Sequence, residues 1–221
     1  MRYTEREECA VCYPASAEIK RKKVIRLMEN VCKIIRRITV PPVFAAALLI
    51  IVSMTHPDYI GGIGHLIGAL FFLSALPTLA YPLQKYIPKY RDRGREGQRS
   101  LAMLFSFVGY LLGTTAAFVF SAPAELKLLY MQYLLCGIGM LVLNKVFKIK
   151  ASGHACGSVG PVIMLLYFGL YLPAIIGALL ILPVYISSIR TGQHTMPQLF
   201  GGSTIPAFVL FFTVSVGFLF R

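Results

Sequence analysis

Acidic residues are scarce in this chain of 221 residues, which contains 9 Asp and Glu against 22 Lys and Arg. A magnesium or calcium site needs several carboxylates close together, so a site of this kind is not expected. Charged residues make up only 14% of the chain and hydrophobic residues 57%. Because soluble domains carry about a quarter charged residues, this composition argues against a water-soluble protein with a single core.

Cysteines at metal-binding spacing are also few. Cys9 and Cys12 form one C-x-x-C pair, and no second pair follows, so a zinc site would need Cys32 or another chain. We interpret these residues as reduced thiols in a polar N-terminal tail. Neither a metal nor a cofactor is therefore expected.

Apolar segments dominate the rest of the chain, and several approach the roughly 20 residues needed to cross a bilayer. The hydropathy pattern predicts seven spans, of which the first and sixth are short. These are residues 41–56, 60–82, 101–121, 126–146, 156–171, 173–188 and 203–220. The predicted fold is an all-α polytopic membrane bundle of six or seven transmembrane helices, forming one domain over residues 41–221.

Residues 1–40 precede this domain and are predicted to be a basic cytosolic tail. Within 17–40, apolar side chains recur at helical spacing and most cations fall on the opposite side. This pattern predicts an amphipathic helix in the membrane interface, with its cations facing anionic lipid. A cytosolic helix packed on the protein's own loops is the alternative.

The basic residues also predict an orientation. A net charge of +13 on a soluble protein would suggest nucleic acid, but here the cations flank apolar segments. All Lys and Arg except Lys127 and Arg221 lie in the tail or at the connections after the second, fourth and sixth spans. The positive-inside rule places the N-terminus and these connections in the cytoplasm. The expected partners are membrane lipids and not nucleic acid.

Residue types suited to phosphoryl transfer gather at the same three connections. Two of the four histidines, His154 and His194, lie there. Guanidinium, ammonium, hydroxyl and backbone N–H groups all bind phosphate oxygens. The candidate phosphate ligands are Lys89, Arg91, Arg93, Arg99, Lys150, Ser152, Gly153 and Arg190. One histidine could act as nucleophile and the other as general acid, and this chemistry requires no metal.

Three sequence motifs at these connections resemble those of a known protein family. Residues 150–154 read Lys-Ala-Ser-Gly-His, His194-Thr-x-x-Gln198 is followed by Gly201, and a basic stretch ends at Arg99. In order and placement they resemble the three motifs of the type-2 phosphatidic-acid phosphatase and haloperoxidase superfamily. The resemblance covers about residues 85–202.

The resemblance implies an α-helical membrane phosphatase that hydrolyses lipid or isoprenoid phosphates or diphosphates through a phosphohistidine. By position, His194 matches the family's nucleophile and His154 its general acid. Arg99, Ser152 and Gly153 match phosphate-binding positions. Gln198 occupies the place of the aspartate that orients the nucleophile.

Three positions depart from the family pattern. Asp92 stands where the family has lysine, so that Lys89, Arg91 or Arg93 would have to replace it, and Ser188 stands where it has arginine. Arg190 would need a shifted backbone to substitute there. Gln198 can accept a hydrogen bond from His194 but offers no negative charge to a developing imidazolium.

These departures favour one alternative function, a catalytically silent binder or carrier of phosphorylated lipids. A small-solute transporter has less support, because the polar residues gather at one surface and no inverted repeat is visible.

Overall fold

The computed structural model describes residues 39–219 and, before them, Lys23, residues 26–28 and 30–32, and Ile34. Seven apolar helices follow one another in this part of the chain, which contains no strand. They are α1 (Pro41–Thr55), α2 (Ile63–Tyr86), α3 (Gly94–Val119), α4 (Ala124–Val146), α5 (Gly153–Tyr167), α6 (Tyr171–Arg190) and α7 (Met196–Leu219). Single helical turns at Pro57–Ile60 and Pro88–Arg91 lie in two of the connections.

Five of the helices, α2, α3, α4, α6 and α7, are long and apolar enough to cross a membrane. The described part of the chain is therefore that of an all-helical integral membrane protein, as the composition indicates. Helices α1 and α5 have 15 residues each. At 1.5 Å per residue each is only about 22 Å long, which is shorter than the hydrocarbon core of a bilayer.

The predicted amphipathic helix within 17–40 lies largely outside the described residues, as do Cys9 and Cys12. The few residues described between Lys23 and Ile34 are helical. Among them Leu27, Met28 and Val31 expose much of their side chains.

Two helices begin well before the apolar segments that predicted them. Helix α3 begins at Gly94 and α7 at Met196, each seven residues ahead of the predicted span. Hydropathy marks only the apolar part of a helix, whereas backbone hydrogen bonding continues through its polar first turns. As a result, Arg95 and Arg99 lie on the first two turns of α3 and not in a loop.

The short helix α5 is the centre of the bundle and packs against α1, α4, α6 and α7. Its inward residues, among them Gly160 and Met164, are buried. Gly157 lies directly against Pro41 at the start of α1, where a Cβ on Gly157 would come within 2.5 Å of the proline Cβ. The absence of a side chain at Gly157 thus lets α1 approach the first turns of α5, where His154 lies.

Candidate active site

A cavity of about 1080 Å³ lies among α1, α2, α3, α4 and α5 and extends to the loop before α7. On α3 its wall runs from Arg95 to Tyr110, a distance of about 22 Å along the helix axis. Both His154 and His194 line it. Because consecutive helices alternate in direction, the starts of α3, α5 and α7 lie at the same end of the bundle. This end of the cavity, where the arginines and both histidines meet, is called the histidine end below.

The histidine end contains a junction centred on Gln198 in the first turn of α7. Its side-chain Oε1 lies 3.1 Å from His194 Nδ1 and accepts a hydrogen bond of 3.3 Å from the Thr195 backbone N–H. Its backbone carbonyl accepts a hydrogen bond of 2.9 Å from the Ser152 N–H. One residue thus joins the His194 loop to the start of α5.

The same junction determines the tautomer of His194. Because the Thr195 N–H donates to Gln198 Oε1, that atom is the amide oxygen and can only accept hydrogen bonds. Nδ1 of the facing imidazole must then carry the proton. In the neutral ring the lone pair is left on Nε2, which is the form a nucleophilic histidine needs.

Gly202 lets the two loops approach this closely. It is buried on α7, one turn after Gln198, and a Cβ added there would overlap the backbone carbonyl oxygen of Ser152. The neighbouring Gly201 has nothing within 4 Å of the position that a Cβ would take. Only the second glycine of the pair is therefore required for the contact.

Ser152 is fully buried and caps α5. Its Oγ accepts a hydrogen bond of 3.4 Å from the Ala155 N–H, and its side chain does not line the cavity. Gly153 and His154 follow in the first turn and do line it. The backbone N–H groups at this helix start point out of α5 and favour an anion there.

Replacing Ser152 with alanine is expected to lower the free energy of unfolding by about 1 kcal/mol, because the helix cap is lost. Ser53→Ala, at an exposed hydroxyl that bonds the Ile50 carbonyl on α1, is the matched control and should have a smaller effect. Both are measured by denaturant unfolding in detergent. If the hydroxyl were instead a phosphate ligand, Ser152→Ala would weaken phosphate binding without lowering stability.

Two arginines of the histidine end line the cavity. Arg95 and Arg99 are four residues apart on α3 and therefore share one face of the helix. Arg95 was not among the residues expected from the sequence. It would have been found from its spacing to Arg99, had α3 been predicted to begin at Gly94.

The other predicted phosphate-binding cations, which are exposed as Arg95 and Arg99 also are, do not line the cavity. These are Lys89, Arg91, Arg93, Lys150 and Arg190. Arg91 pairs with Asp92 at 3.1 Å, and Arg93 pairs with Glu96 at 3.3 Å.

Ser188 is fully buried on α6, and its Oγ donates to the Val184 carbonyl. The Ser188 carbonyl accepts hydrogen bonds from the Gln193 and His194 backbone N–H groups, at 3.1 and 3.4 Å. This residue therefore anchors the His194 loop. No space is left there for an arginine side chain.

A set of polar and thiol side chains lines the part of the cavity inside the bundle, and sequence analysis did not single them out. These are Tyr110, Gln132, Tyr133, Cys136 and Cys156. The Tyr110 and Tyr133 rings are in contact, with centroids 5.4 Å apart. This part of the cavity is called the inner end below.

A third histidine, His65, lies elsewhere and lines a separate cavity of about 530 Å³ beside Gly61, Gly64 and Gly68. Within the described residues, no group of three or more His, Cys, Asp or Glu side chains is arranged to hold a metal ion. The histidine end therefore offers two imidazoles, two guanidinium groups and a helix N-terminus, together with the Glu96 carboxylate, which also lines the cavity and pairs with Arg93.

Comparison of the chain with known protein families, with curated proteins and with solved structures finds no match.

Proposed function

We propose that this protein is a membrane phosphatase that hydrolyses a lipid or isoprenoid phosphate or diphosphate through a phosphohistidine. The observation that supports it most directly is that His154 and His194 line one cavity together with Arg95 and Arg99. These groups supply a nucleophile, a proton donor and two phosphate-binding forks. The apolar residues of the same wall, such as Met103 and Phe107, provide a surface for a hydrocarbon tail.

The proposed reaction has two steps. With the phosphate held by Arg95, Arg99 and the N-terminus of α5, Nε2 of His194 attacks phosphorus while His154 donates a proton to the departing alkoxide. A water molecule then gives its proton to His154 and attacks the phosphohistidine. Inorganic phosphate leaves, and both histidines return to their starting state.

Gln198 has a defined part in this scheme. Its amide oxygen accepts the Nδ1–H of His194 and so keeps the attacking nitrogen unprotonated. As the ring becomes cationic on phosphorylation, an amide dipole stabilises it less than a carboxylate would. We therefore expect slower turnover than an aspartate at this position would support.

The proposed orientation follows from the distribution of charge. All seven helices would cross or enter the bilayer, with the central α5 shielded by the helices packed around it. The positive-inside rule then places the histidine end at the cytoplasmic side. A substrate in the inner leaflet could insert its phosphate there while its tail remained among the helices.

The direct test is phosphate release by the purified chain in lipid nanodiscs. Phosphatidate, a glycerophosphate lipid and a polyprenyl diphosphate are supplied without added metal and with EDTA. We expect release from at least one of them, unchanged by EDTA because the proposed site uses no metal. Saturable, headgroup-dependent binding of these lipids with no release would instead favour the silent binder. The observations behind that alternative are Ser188 and Gln198, which stand where the resembled superfamily has arginine and aspartate.

Arg99→Ala is expected to lower kcat/KM for the preferred lipid phosphate at least about tenfold, since a charge-assisted phosphate contact on the cavity wall is lost. Lys85→Ala is the matched control. Lys85 is an exposed cation at the end of α2 whose ammonium lies 4.8 Å from the Tyr86 ring centroid, and it does not line the cavity. Equal losses from the two variants would mean that the cations act through general surface charge and not through the cavity.

A further inference from the structure

The wall that α3 contributes to the cavity stops at Tyr110. Beyond Arg99, the residues of α3 that line the cavity are Ala102, Met103, Ser106, Phe107 and Tyr110. Their spacing of three and four places them on one face of the helix. Helix α3 is described throughout, and no residue after Tyr110 lines this cavity although the helix continues to Val119. Tyr110 therefore marks the inner limit of the cavity on α3.

The Tyr110 ring lies between α3 and α4. Its centroid is 5.4 Å from that of Tyr133, and a Cβ on Gly137 would lie 3.6 Å from the Tyr110 Cδ2 atom. The Tyr110 hydroxyl is hydrogen-bonded to the Ser106 side chain, one turn nearer the histidine end. These contacts hold the ring across the gap between the two helices, where it forms a floor for the inner end.

A second aromatic layer lies behind this floor. Gly113 is one turn beyond Tyr110, and a Cβ added there would overlap the Tyr130 ring and lie 3.0 Å from the Phe72 Cβ. Tyr130 and Phe72 line the cavity beside His65 and not the cavity of the histidine end. Packed side chains therefore separate the two cavities, and a ligand that enters at the histidine end stops at Tyr110.

The inner end offers an apolar surface in spite of its polar residues. The Gln132 amide nitrogen donates to the Pro206 carbonyl, and neither Gln132 Oε1 nor Tyr133 Oη is exposed. The thiols of Cys136 and Cys156 behave as small apolar groups. A surface of this kind suits a hydrocarbon tail and not a charged headgroup, which would lose its hydration there.

The depth of the cavity matches one leaflet of a bilayer. Arg99 and Tyr110 are eleven residues apart on α3, or about 16 Å along the helix axis. Half of the hydrocarbon core of a bilayer is about 15 Å thick. A tail that spans one leaflet, with its phosphate at Arg99, therefore reaches the Tyr110 ring.

We propose that the cavity holds one hydrocarbon tail end-on and that Tyr110 sets the longest tail it accepts. This inference rests on the proposed phosphate site and narrows its ligands to phosphorylated amphiphiles whose tail extends up to about 16 Å. An acyl chain that spans one leaflet meets this limit, whereas a polyprenyl chain long enough to cross the bilayer does not.

A fluorescent residue at the floor tests whether the tail reaches it. The sequence contains no tryptophan, so Tyr110→Trp introduces a single indole there. Alkylphosphonates of increasing length, each with bromine on the last carbon, are added to this variant in lipid nanodiscs. Bromine quenches indole fluorescence on contact, and the carbon–phosphorus bond is not hydrolysed. We expect weak quenching by short tails and a sharp rise at the length that spans from the arginines to the floor.

Leu111→Trp is the matched control, since Leu111 is the next residue of α3, is exposed and does not line the cavity. Bromoalkanes without a phosphonate are the second control. The indole of the control variant faces lipid and should be quenched equally by both kinds of compound. If the phosphonates quenched Tyr110→Trp no better than the bromoalkanes do, the tail would not lie in the cavity and the proposal would be wrong.

The length limit itself is measured by calorimetric titration of plain alkylphosphonates into the protein in nanodiscs, with empty nanodiscs as blanks. Wild-type affinity should fall at least about tenfold once the tail exceeds the cavity, because an overlong chain must displace packed side chains. Tyr110→Ala should move this limit to longer tails, and Leu111→Ala should leave it unchanged. Misfolding would weaken binding at every length and cannot lengthen the limit. An absent limit in wild type, or an unchanged limit in Tyr110→Ala, would overturn the proposal.

The two proposals fail in different ways. Length-dependent quenching and binding of phosphonates, together with no phosphate release from the corresponding alkyl phosphates, would remove the phosphatase and keep the tail site. Phosphate release from alkyl phosphates with no length limit would keep the phosphatase and remove Tyr110 as the floor.

Discussion

Replacing His194 with alanine is expected to reduce phosphate release by at least about three orders of magnitude, because the proposed reaction passes through a covalent bond to this ring. The preferred lipid phosphate serves as substrate, and the protein is compared with wild type at equal amounts of folded material. His65→Ala is the matched control, since that histidine lines the other cavity. Retention of more than a small fraction of the wild-type rate by His194→Ala would exclude a phosphohistidine at this position.

The roles of the two histidines can also be separated. Wild type, quenched during turnover of a radiolabelled substrate, should carry an acid-labile phosphoryl group that His194→Ala lacks. His154→Ala should retain it. The first-turnover rate of His154→Ala, relative to wild type, should fall less with nitrophenyl phosphate than with an alkyl phosphate. The reason is that a nitrophenolate leaves without being protonated. The same defect for both leaving groups would argue against His154 as the general acid.

Gly202→Ala is expected to lower the free energy of unfolding by about 2 kcal/mol and to abolish most of the activity. The added Cβ overlaps the Ser152 carbonyl, so the first turn of α7 must move away from the start of α5. That movement separates His194 from His154 and breaks the hydrogen bond from the Ser152 N–H to the Gln198 carbonyl. Thermal or denaturant unfolding in detergent and the phosphate assay measure the two effects.

Gly201→Ala is the matched control for this substitution. The two glycines are adjacent in α7, and the position of a Cβ on Gly201 is open. Alanine favours a helix over glycine by up to about 1 kcal/mol, so this variant should be as stable as wild type or slightly more stable. If both alanines were equally tolerated, Gly202 would not be what brings the two loops together.

Much of the fold could be predicted from the sequence, because hydropathy alone determines which segments avoid water. Each of the seven predicted spans overlaps one of the helices α1 to α7. The starts of α3 and α7 could not be found in this way, since their first turns are polar. At α7 the local signal was nevertheless present: Thr195-Met-Pro-Gln198 has the spacing of a capping box, and the Gln198 side chain does bond the Thr195 N–H.

For the candidate site, the sequence could predict which loops lie at the same end of the bundle, but not which side chains line the cavity. Alternation of spans brings His154, His194 and the basic stretch before α3 to one end, and the structure places both histidines in one cavity. Which cations line the cavity beside the histidines depends on how α3 is rotated about its axis. In the structure Arg95 and Arg99 line the cavity and Arg93 does not. The inner end could not be predicted, because Gln132 and Tyr133 lie within an apolar helix whose facing partners are set by packing.

The contact between Gly202 and Ser152 determines when the site can exist during synthesis. Ser152 and His154, together with both cavity arginines, leave the ribosome well before α7, the last helix of the described chain. Until its first turn docks against Ser152, the hydrogen bond from the Ser152 N–H to the Gln198 carbonyl cannot form, although the Ser188 carbonyl on α6 already anchors the His194 loop. The proposed site is therefore completed only once α7 packs against the start of α5.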